Sequence, residues 1–183
     1  MEMVNIKING RDYSVPADSK IIDAARIAKI EIPTLCYLKG INEIGACRLC
    51  LVEVKGARGL MAACVTGVTE GMEIFTNTPK VREMRKTNLE LVLSTHKKEC
   101  LSCIRSQSCE LQKLCRDLGV TEEDRFAGKN VEYPKDESTA FLVRDNDKCI
   151  LCRRCVAACK NMQGIGVIDA LNRGFDTHIG SAF

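Results

Sequence analysis

Twelve cysteines in a chain of 183 residues are the side chains with the most evident capacity for chemistry. Their spacing separates eleven of them, with one histidine, into three groups: Cys36, Cys47, Cys50 and Cys64; His96, Cys100, Cys103 and Cys109; and Cys149, Cys152, Cys155 and Cys159. Zinc and iron–sulfur clusters use thiolate and imidazole ligands. The first residues show no signal peptide, so we expect a cytoplasmic protein, in which cysteines bind metals more often than they form disulfides.

The first group has the spacing Cys36-x10-Cys47-x2-Cys50-x13-Cys64. Four thiolates with a close pair in a loop can hold two bridged irons, and backbone N–H groups near Gly45 could then point at sulfur and tune the reduction potential. The first gap is longer than in the plant-type spacing C-x4-C-x2-C. We predict a [2Fe–2S] cluster, with a zinc site built on the Cys47 and Cys50 pair as the alternative.

The second group has the spacing His96-x3-Cys100-x2-Cys103-x5-Cys109. One imidazole and three thiolates can hold structural zinc, or a [4Fe–4S] cluster with one nitrogen-bound iron. Histidine in place of a thiolate removes negative charge and therefore changes the cluster potential. A lone histidine is usually a solvated residue at a helix end, but the spacing favours a ligand. Cys115 follows the group and is predicted to be a buried thiol outside the ligand set.

The third group, Cys149-x2-Cys152-x2-Cys155-x3-Cys159, is the most specific local pattern in the chain. It matches the bacterial ferredoxin run, in which the first three cysteines bind one [4Fe–4S] cluster and the fourth serves another. Lys160 stands where proline usually follows, and no second run comes after it. We therefore expect one or two [4Fe–4S] clusters here, with Cys159 either the fourth ligand or a ligand of the second cluster, and a truncated chain.

Charge and hydropathy exclude some function classes. The net charge is +3 without a long basic block, which gives nucleic-acid binding little support. The sequence contains no run of about 18 apolar residues, so it predicts no membrane span. Five basic residues surround the third group. They could offset the negative charge of a cluster and dock an acidic partner. The alternative is that they form an ordinary solvated face. They are Arg144, Lys148, Arg153, Arg154 and Lys160.

Two strands, a helix and three further strands are predicted to position the first group. Residues 3–8 alternate in polarity, and the Asn-Gly pair at 9–10 is a strong hairpin signal, so residues 12–15 should return as the second strand. Asp18 or Ser19 can cap the helix that follows. The helix and the later strands are predicted at residues 20–29, 51–54, 60–63 and 73–75.

A longer helix is predicted to lead to the second group. Thr78 at the N-cap and Pro79 at the first helical position favour a helix that ends just before His96. Residues 104–118 are predicted to be helical again, and residues 119–140 to form a connector. The packed face of the longer helix is predicted to carry Val81, Met84, Asn88, Leu91 and Val92.

The order of the three groups resembles the N-terminal region of [FeFe] hydrogenases. It is also similar to the start of the large iron–sulfur subunit of NADH dehydrogenase and to the diaphorase subunit of NAD-reducing hydrogenases. The stretch Cys149-Ile-Leu-Cys-Arg-Arg-Cys-Val-Ala-Ala-Cys and the later Gly174-Phe-Asp-Thr-His-Ile-Gly most resemble multimeric, NADH-linked [FeFe] hydrogenases. The resemblance covers essentially the whole chain, and its specificity lies in the order of the motifs.

The resemblance implies an α+β fold in three parts. A β-grasp [2Fe–2S] ferredoxin-like domain would occupy residues 1–77, and a small helical domain over residues 78–118 would hold a [4Fe–4S] cluster through one histidine and three cysteines. After the connector, a partial bacterial-ferredoxin-like [4Fe–4S] domain would occupy residues 141–183. No catalytic cysteines of a hydrogenase follow, so we expect an electron relay that is not catalytic alone.

The implied function is the relay of single electrons in a multisubunit oxidoreductase, between an NADH- and flavin-binding partner subunit and a hydrogenase-type catalytic site. No Gly-rich phosphate loop appears, so NADH and flavin are expected on the partner. The other expected partners are a catalytic domain or subunit and a ferredoxin. The alternatives are a relay subunit of an NADH dehydrogenase or NAD-dependent formate dehydrogenase complex and, from another class, a zinc-stabilised interaction module.

Overall fold

A computed structural model of the protein describes residues 2–121, 124–128 and 131–181. These residues combine helices and strands, as predicted, and they form two compact units. The first unit comprises Met1–Tyr37 and Glu43–Asn88, and the second comprises Leu38–Asn42 and Leu89–Phe183. None of the helices in the described ranges is both long enough and apolar enough to cross a lipid bilayer.

The first unit is built on a five-stranded sheet. Its strands are β1 (Met3–Ile8), β2 (Arg11–Pro16), β3 (Leu51–Val54), β4 (Met61–Ala62) and β5 (Glu73–Phe75), in the spatial order β2-β1-β5-β3-β4. Strand β1 is internal because it pairs antiparallel with β2 and parallel with β5. Asn9 and Gly10 form the predicted β1–β2 turn with φ of 51° and 82°, the positive pair that a type I′ hairpin requires.

Helix α1 (Ile21–Ile27) packs on the sheet, but its N-terminus differs from the prediction. The predicted cap by Asp18 or Ser19 is wrong, because Lys20 is the N-cap and no side chain caps the helix. The N–H groups of Ile21 and Ile22 donate instead to backbone carbonyls in the segment after β4, at 2.9 and 3.0 Å. Carbonyl oxygens from a distant stretch of backbone therefore accept the hydrogen bonds of the first N–H groups of α1, which a local side chain was expected to accept.

The core of the first unit is mainly aliphatic. Cys50 and Cys64 belong to this core and are 1% and 0% exposed, so two cysteines of the first group lie within packed structure. A core of short side chains leaves room for buried thiols, which pack like small apolar groups. The largest aliphatic side chains in the core are Ile6, Ile8, Val15, Ile21, Ile22, Val52 and Ile74.

Helix α2 (Pro79–Leu93) starts where it was predicted, but it buries a different face. The hydroxyl oxygen of Thr78 accepts a hydrogen bond from the N–H of Val81 at 3.2 Å, which is N-cap geometry. The predicted face is wrong at Met84 and Leu91, which are 42% and 47% exposed. The buried positions are Val81, Arg85, Leu89, Glu90 and Leu93.

Arg85 explains this difference. Its guanidinium donates to the carbonyl oxygen of Leu51 at 2.6 Å, and the residue is only 5% exposed. Burial lowers the pKa of Arg85 to about 10, so the side chain remains charged at pH 7. A hydropathy pattern places arginine on the outer face, whereas this hydrogen bond holds it on the inner one.

The second unit contains short elements joined by irregular chain. They are α3 (Glu110–Asp117), α4 (Arg154–Ala157) with a following π-helical turn (Ala158–Met162), and a hairpin of β6 (Asp169–Leu171) and β7 (His178–Gly180). The helix predicted over residues 104–118 is therefore shorter, because Cys109 is extended and serves as the N-cap of α3. The described part of the predicted connector contains no helix or strand.

We expect Ile8→Ala to lower the free energy of unfolding by about 2–5 kcal/mol, because the Ile8 side chain is fully buried in the core of the first unit. Ile27→Ala is the matched control, since Ile27 is 55% exposed, and it should change stability by less than about 0.5 kcal/mol. Anaerobic denaturant titration of the purified chain measures both variants. Equal losses would contradict the placement of the core.

Candidate metal centres

The four thiols of the first group form two close pairs. The Sγ atoms of Cys50 and Cys64 lie 3.3 Å apart. Cys36 and Cys47 are likewise hydrogen-bonded through their thiols, and the N–H of Cys47 donates to the Sγ of Cys36 at 3.5 Å. The structure thus brings these thiols together as two pairs, which is the donor set that two bridged irons require.

Packing these thiols together changes their ionisation. In each pair the hydrogen bond between the thiols raises the pKa of one member, Cys36 or Cys64, and burial adds to the rise. The same hydrogen bonds lower the pKa of Cys47 to about 5 and of Cys50 to about 7. One proton of each pair is lost easily, whereas a second thiolate beside the first needs a cation to stabilise it.

A left-handed turn shapes the loop before Cys47. Gly45 has a φ of 64°, a conformation that residues with a Cβ adopt at a cost. A Cβ at this position would lie 3.5 Å from a methyl group of Val65 and 3.9 Å from the Sγ of Cys64. The backbone of the loop therefore lies close to the thiols, as expected if its amides are to face cluster sulfur.

A second left-handed residue, Arg48, lies inside the C-x2-C turn, with a φ of 53°. The side-chain amide of Asn88 donates to the carbonyl oxygen of Arg48 at 3.0 Å. Asn88 was predicted as part of a packed helix face, and the structure gives it this hydrogen bond to the ligand loop. With Arg85 on the carbonyl of Leu51, two polar side chains of α2 hold the backbone that carries Cys47 and Cys50.

The second group lines a single cavity of about 720 Å³ in the second unit. Cys100 begins a short 3₁₀ turn that ends at Cys103, and Cys109 precedes α3. All four predicted ligands, His96 included, face this cavity. Its volume is ample for a four-iron cluster, and the donors are of the kinds that bind iron in such clusters.

His96 is in a state suited to metal binding. Burial, and then the positive charge of Lys148, lowers the pKa of His96, so the imidazole is neutral at pH 7. Its Nδ1 atom is buried and has no hydrogen-bond partner among the described residues. A neutral ring can donate a lone pair to a metal, which an imidazolium ion cannot.

Cys115 lines the same cavity and was not predicted to be part of it. Cys115 is half-buried, so it is more exposed than the buried thiol that was predicted. Gln112 also lines the cavity and lies three residues from both Cys109 and Cys115. This i, i+3 series on one helix is the sequence signal that could have identified the position of Cys115.

The first three cysteines of the third group lie close together, with Cys149 and Cys152 on irregular chain and Cys155 in α4. Leu151 and Arg153 have φ values of 52° and 58°, so each gap between cysteines contains a left-handed residue. Burial raises the pKa of Cys149, and the nearby charges of Cys152 and Cys155 raise it further. The N–H of Leu151 donates to the Sγ of Cys149 at 3.4 Å, a contact that stabilises a thiolate.

Cys159 has different neighbours. The backbone N–H groups of Val167, Ile168 and Gly166 lower the pKa of Cys159, with Val167 contributing most. The Cys159 thiol therefore lies against the turn at residues 166–168.

Asn42 supports the third group and was not predicted from the sequence. It is 1% exposed, and its side-chain amide donates to the carbonyl oxygen of Cys152 at 2.9 Å. The side-chain amide of Asn161 donates to the carbonyl of Ile41 at 3.0 Å, which attaches the same short loop again. No spacing pattern indicates a contact between residues 110 positions apart.

Most of the basic residues around the third group form ion pairs within the second unit. Arg153 and Lys160 are exposed, so the interpretation as a solvated or docking face applies to these two. The others neutralise local carboxylates, in the pairs Arg144–Asp136 at 2.7 Å, Lys148–Glu99 at 3.6 Å and Arg154–Glu110 at 3.5 Å.

The donor groups are spread more widely than a single ion requires. Within residues 2–121, 124–128 and 131–181, no three His, Cys, Asp or Glu side chains converge closely enough to hold one metal ion. Zinc binds four ligands at about 2.0–2.3 Å from one point. A cluster separates its ligands by the irons and sulfides between them.

Three families match successive parts of the chain. Residues 1–79 match the 2Fe-2S iron-sulfur cluster binding domain. Residues 85–124 match the NADH-ubiquinone oxidoreductase-G iron-sulfur binding region, and residues 142–162 match the 4Fe-4S binding domain. Binding domains for both cluster types are therefore present, in the order of the three cysteine groups.

Relatives match nearly the whole chain. The NADP-reducing hydrogenase subunit HndD of Solidesulfovibrio fructosivorans is 46% identical over 188 residues, covering 100% of this chain and 32% of its own length. The NADH-ubiquinone oxidoreductase 75 kDa subunit of Reclinomonas americana is 35% identical over 181 residues, covering 97% of this chain and 26% of its own length. The chain thus spans a third or less of the length of these curated relatives.

A solved structure shares the fold. The crystal structure of NAD+-reducing [NiFe]-hydrogenase in the H2-reduced state superposes with a TM-score of 0.88 at 26% sequence identity. The match covers 98% of this chain and 75% of the chain in that structure. The likeness therefore includes all three cysteine groups.

We expect Gly45→Ala to destabilise the first site by about 1–2 kcal/mol, because alanine must adopt the left-handed conformation beside Val65. Gly59→Ala is the matched control, since a Cβ there meets nothing within 4 Å and its φ is ordinary. Loss of the visible absorbance of the first site during denaturant titration measures the effect. Equal midpoints for the two variants would contradict it.

Proposed function

This chain is homologous to the N-terminal iron–sulfur region of the 75 kDa subunit of NADH-ubiquinone oxidoreductase and of NADP- and NADH-linked hydrogenase subunits, and we propose that it is the electron-relay region of a multisubunit oxidoreductase. The observation that carries the proposal is the succession of three donor groups along one chain. Each group consists of thiols, or thiols and a neutral imidazole, already gathered by the fold. Three donor groups in succession would suit the relay of single electrons from one bound cluster to the next.

We assign one [2Fe–2S] cluster to the first group. Cys36 and Cys47 would hold one iron, and Cys50 and Cys64 would hold the other. The two close thiol pairs support this division, since each iron of such a cluster has two protein ligands. The sheet order β2-β1-β5-β3-β4 with one packed helix supports a β-grasp domain over residues 1–77.

We assign two further cluster sites to the second unit. His96, Cys100, Cys103 and Cys109 would hold a [4Fe–4S] cluster in a domain over residues 78–118. Cys149, Cys152 and Cys155 would hold a ferredoxin-type [4Fe–4S] cluster in the domain over residues 141–183. Cys159 would be its fourth ligand or a ligand of a second such cluster.

Bound clusters supply one-electron transfer between neighbouring centres. The protein residues bind the metal, exclude water and direct backbone N–H groups at sulfur. Burial of Cys36, Cys50 and Cys64 excludes water from the first site. The N–H groups of Cys47 and Leu151 reach the Sγ atoms of neighbouring ligands, where they stabilise negative charge and raise the reduction potential.

We assign the remaining parts of the reaction to partners. The names of the two relatives refer to NADP and NADH, so a flavin- and NADH-binding subunit would exchange electrons with this chain in the cytoplasm. A hydrogenase-type catalytic domain or subunit is favoured at the other end, because HndD, at 46%, has the higher identity of the two. An NADH dehydrogenase or formate dehydrogenase partner and a ferredoxin are the other candidates.

Metal analysis of the anaerobically purified chain tests the proposal. We expect about ten irons with matching sulfide, and EPR signals of both cluster types on graded reduction, from one [2Fe–2S] and two [4Fe–4S] clusters. About six irons would instead show that the third group is empty. Stoichiometric zinc without an EPR signal would reject the relay and support a zinc-stabilised interaction module.

We expect Cys50→Ser to abolish the [2Fe–2S] signal and to remove about two irons, because one iron loses a thiolate ligand. The [4Fe–4S] signals should persist. Ala63→Ser is the matched control: it places the same hydroxyl in the same core, at a residue with 0% exposure, and should keep all signals. Simultaneous loss of every cluster in Cys50→Ser would show that the sites are not separable.

A further inference from the structure

The cavity of the second group contains one more thiol than its proposed cluster needs. A [4Fe–4S] cluster takes four protein ligands, and His96 with three cysteines supplies them. Cys115 lines the same cavity as these four residues. Five donors of kinds that bind cluster iron therefore face one space of about 720 Å³.

Helix α3 is held in a fixed orientation. Leu111 and Leu114 are 5% and 7% exposed, so they anchor one side of the helix in packed structure. Lys113 and Asp117 form an ion pair at 2.7 Å on the solvent side. Leu111 also lines the cavity and lies one turn before Cys115 on the same face, so the packing that holds Leu111 also directs Cys115 at the cavity.

Cys115 lies on α3, the helix that Cys109 caps. It is six residues beyond Cys109, which corresponds to about 9 Å along the helix axis. Side chains on a helix lean toward its N-terminus, so the Cys115 thiol leans back toward Cys109. Gln112, between them, also lines the cavity, and its side-chain oxygen accepts the N–H of Gln107 at 3.3 Å.

His96 is the ligand in this group that a thiolate could replace. Thiolate is the usual ligand of cluster iron, whereas imidazole is the exception. A histidine ligand normally has its second ring nitrogen held by an acceptor. The ring of His96 has a backbone hydrogen bond with Lys148, and its buried Nδ1 has no partner among the described residues, so Nδ1 is the nitrogen left for iron.

We propose that Cys115 is a reserve ligand of the second cluster, placed to bind the iron that His96 otherwise holds. This inference rests on the proposed function, since it requires a [4Fe–4S] cluster at this group. In the exchange an Fe–N bond breaks and an Fe–S bond forms, the thiol gives its proton to solvent, and no electron is transferred. The site gains one negative charge, which Arg116 in the wall of the cavity partly offsets.

The test compares His96→Ala with His96→Ala/Cys115→Ser in the cluster-loaded chain. The matched control is His96→Ala/Lys113→Ser, which introduces serine into the same helix at an exposed position outside the cavity. The readouts are iron content, EPR, nitrogen hyperfine coupling and midpoint potential. The [2Fe–2S] signal of the first group reports whether each variant has folded.

We expect His96→Ala and its Lys113 control to keep about four irons at this site. Their nitrogen coupling should be lost, and their midpoint potential should be lower than in the wild type, because thiolate adds negative charge. His96→Ala/Cys115→Ser should lose these irons. Equal iron content with and without Cys115 would overturn the proposal, as would loss of the cluster in His96→Ala while the [2Fe–2S] signal persists.

If His96→Ala also loses the [2Fe–2S] signal, the comparison is repeated with His96→Asn, which is closer to histidine in size, under the same criteria. The wild-type chain separates this inference from the proposed function. Absence of a nitrogen-coupled [4Fe–4S] signal in the wild type would contradict the ligand assignment itself. If the wild type shows this signal but the folded His96 variants lose the cluster, only the reserve role of Cys115 is contradicted.

Discussion

Thiols packed side by side repel one another once they ionise, and a cation must lie between them before all can be thiolates. In the first group this constraint appears as a lowered pKa at Cys47 and a raised one at Cys36, joined by one hydrogen bond. Metal binding relieves the repulsion by displacing the remaining protons. Folding and metal loading of each site would therefore be coupled, and the rest of the structure keeps the thiols close together.

The two units satisfy this constraint with different structural means. In the first, a sheet and a helix form a core that includes Cys50 and Cys64, and α2 holds the ligand loop through Arg85 and Asn88. In the second, ligands lie on turns and short helices that bury few large side chains. Such a unit would depend more heavily on bound metals for stability. Left-handed residues in both units bend the backbone so that its N–H groups approach sulfur.

Short-range features of the sequence predicted a large part of this architecture. The β1–β2 hairpin follows from alternation and from Asn9-Gly10, and the start of α2 follows from Thr78-Pro79, because each signal acts within a few residues. The grouping of the cysteines could also be predicted from the sequence, since the spacing of ligands in a tight turn is a local property. The structure gathers the first group into two pairs and the second around one cavity, while the ligand assignments remain predictions.

The sequence alone therefore determined the donor types, their order and the local elements that carry them. Only the tertiary structure decided which side of α2 is buried, because the partner of Arg85 is a carbonyl 34 residues away. It likewise decided that backbone after β4 satisfies the start of α1, that Asn42 supports Cys152 across 110 positions, and that Cys115 faces the second site. The physical reason is the same in each case: these hydrogen bonds and cavities form between segments far apart in sequence, and local propensity and periodicity contain no information about them.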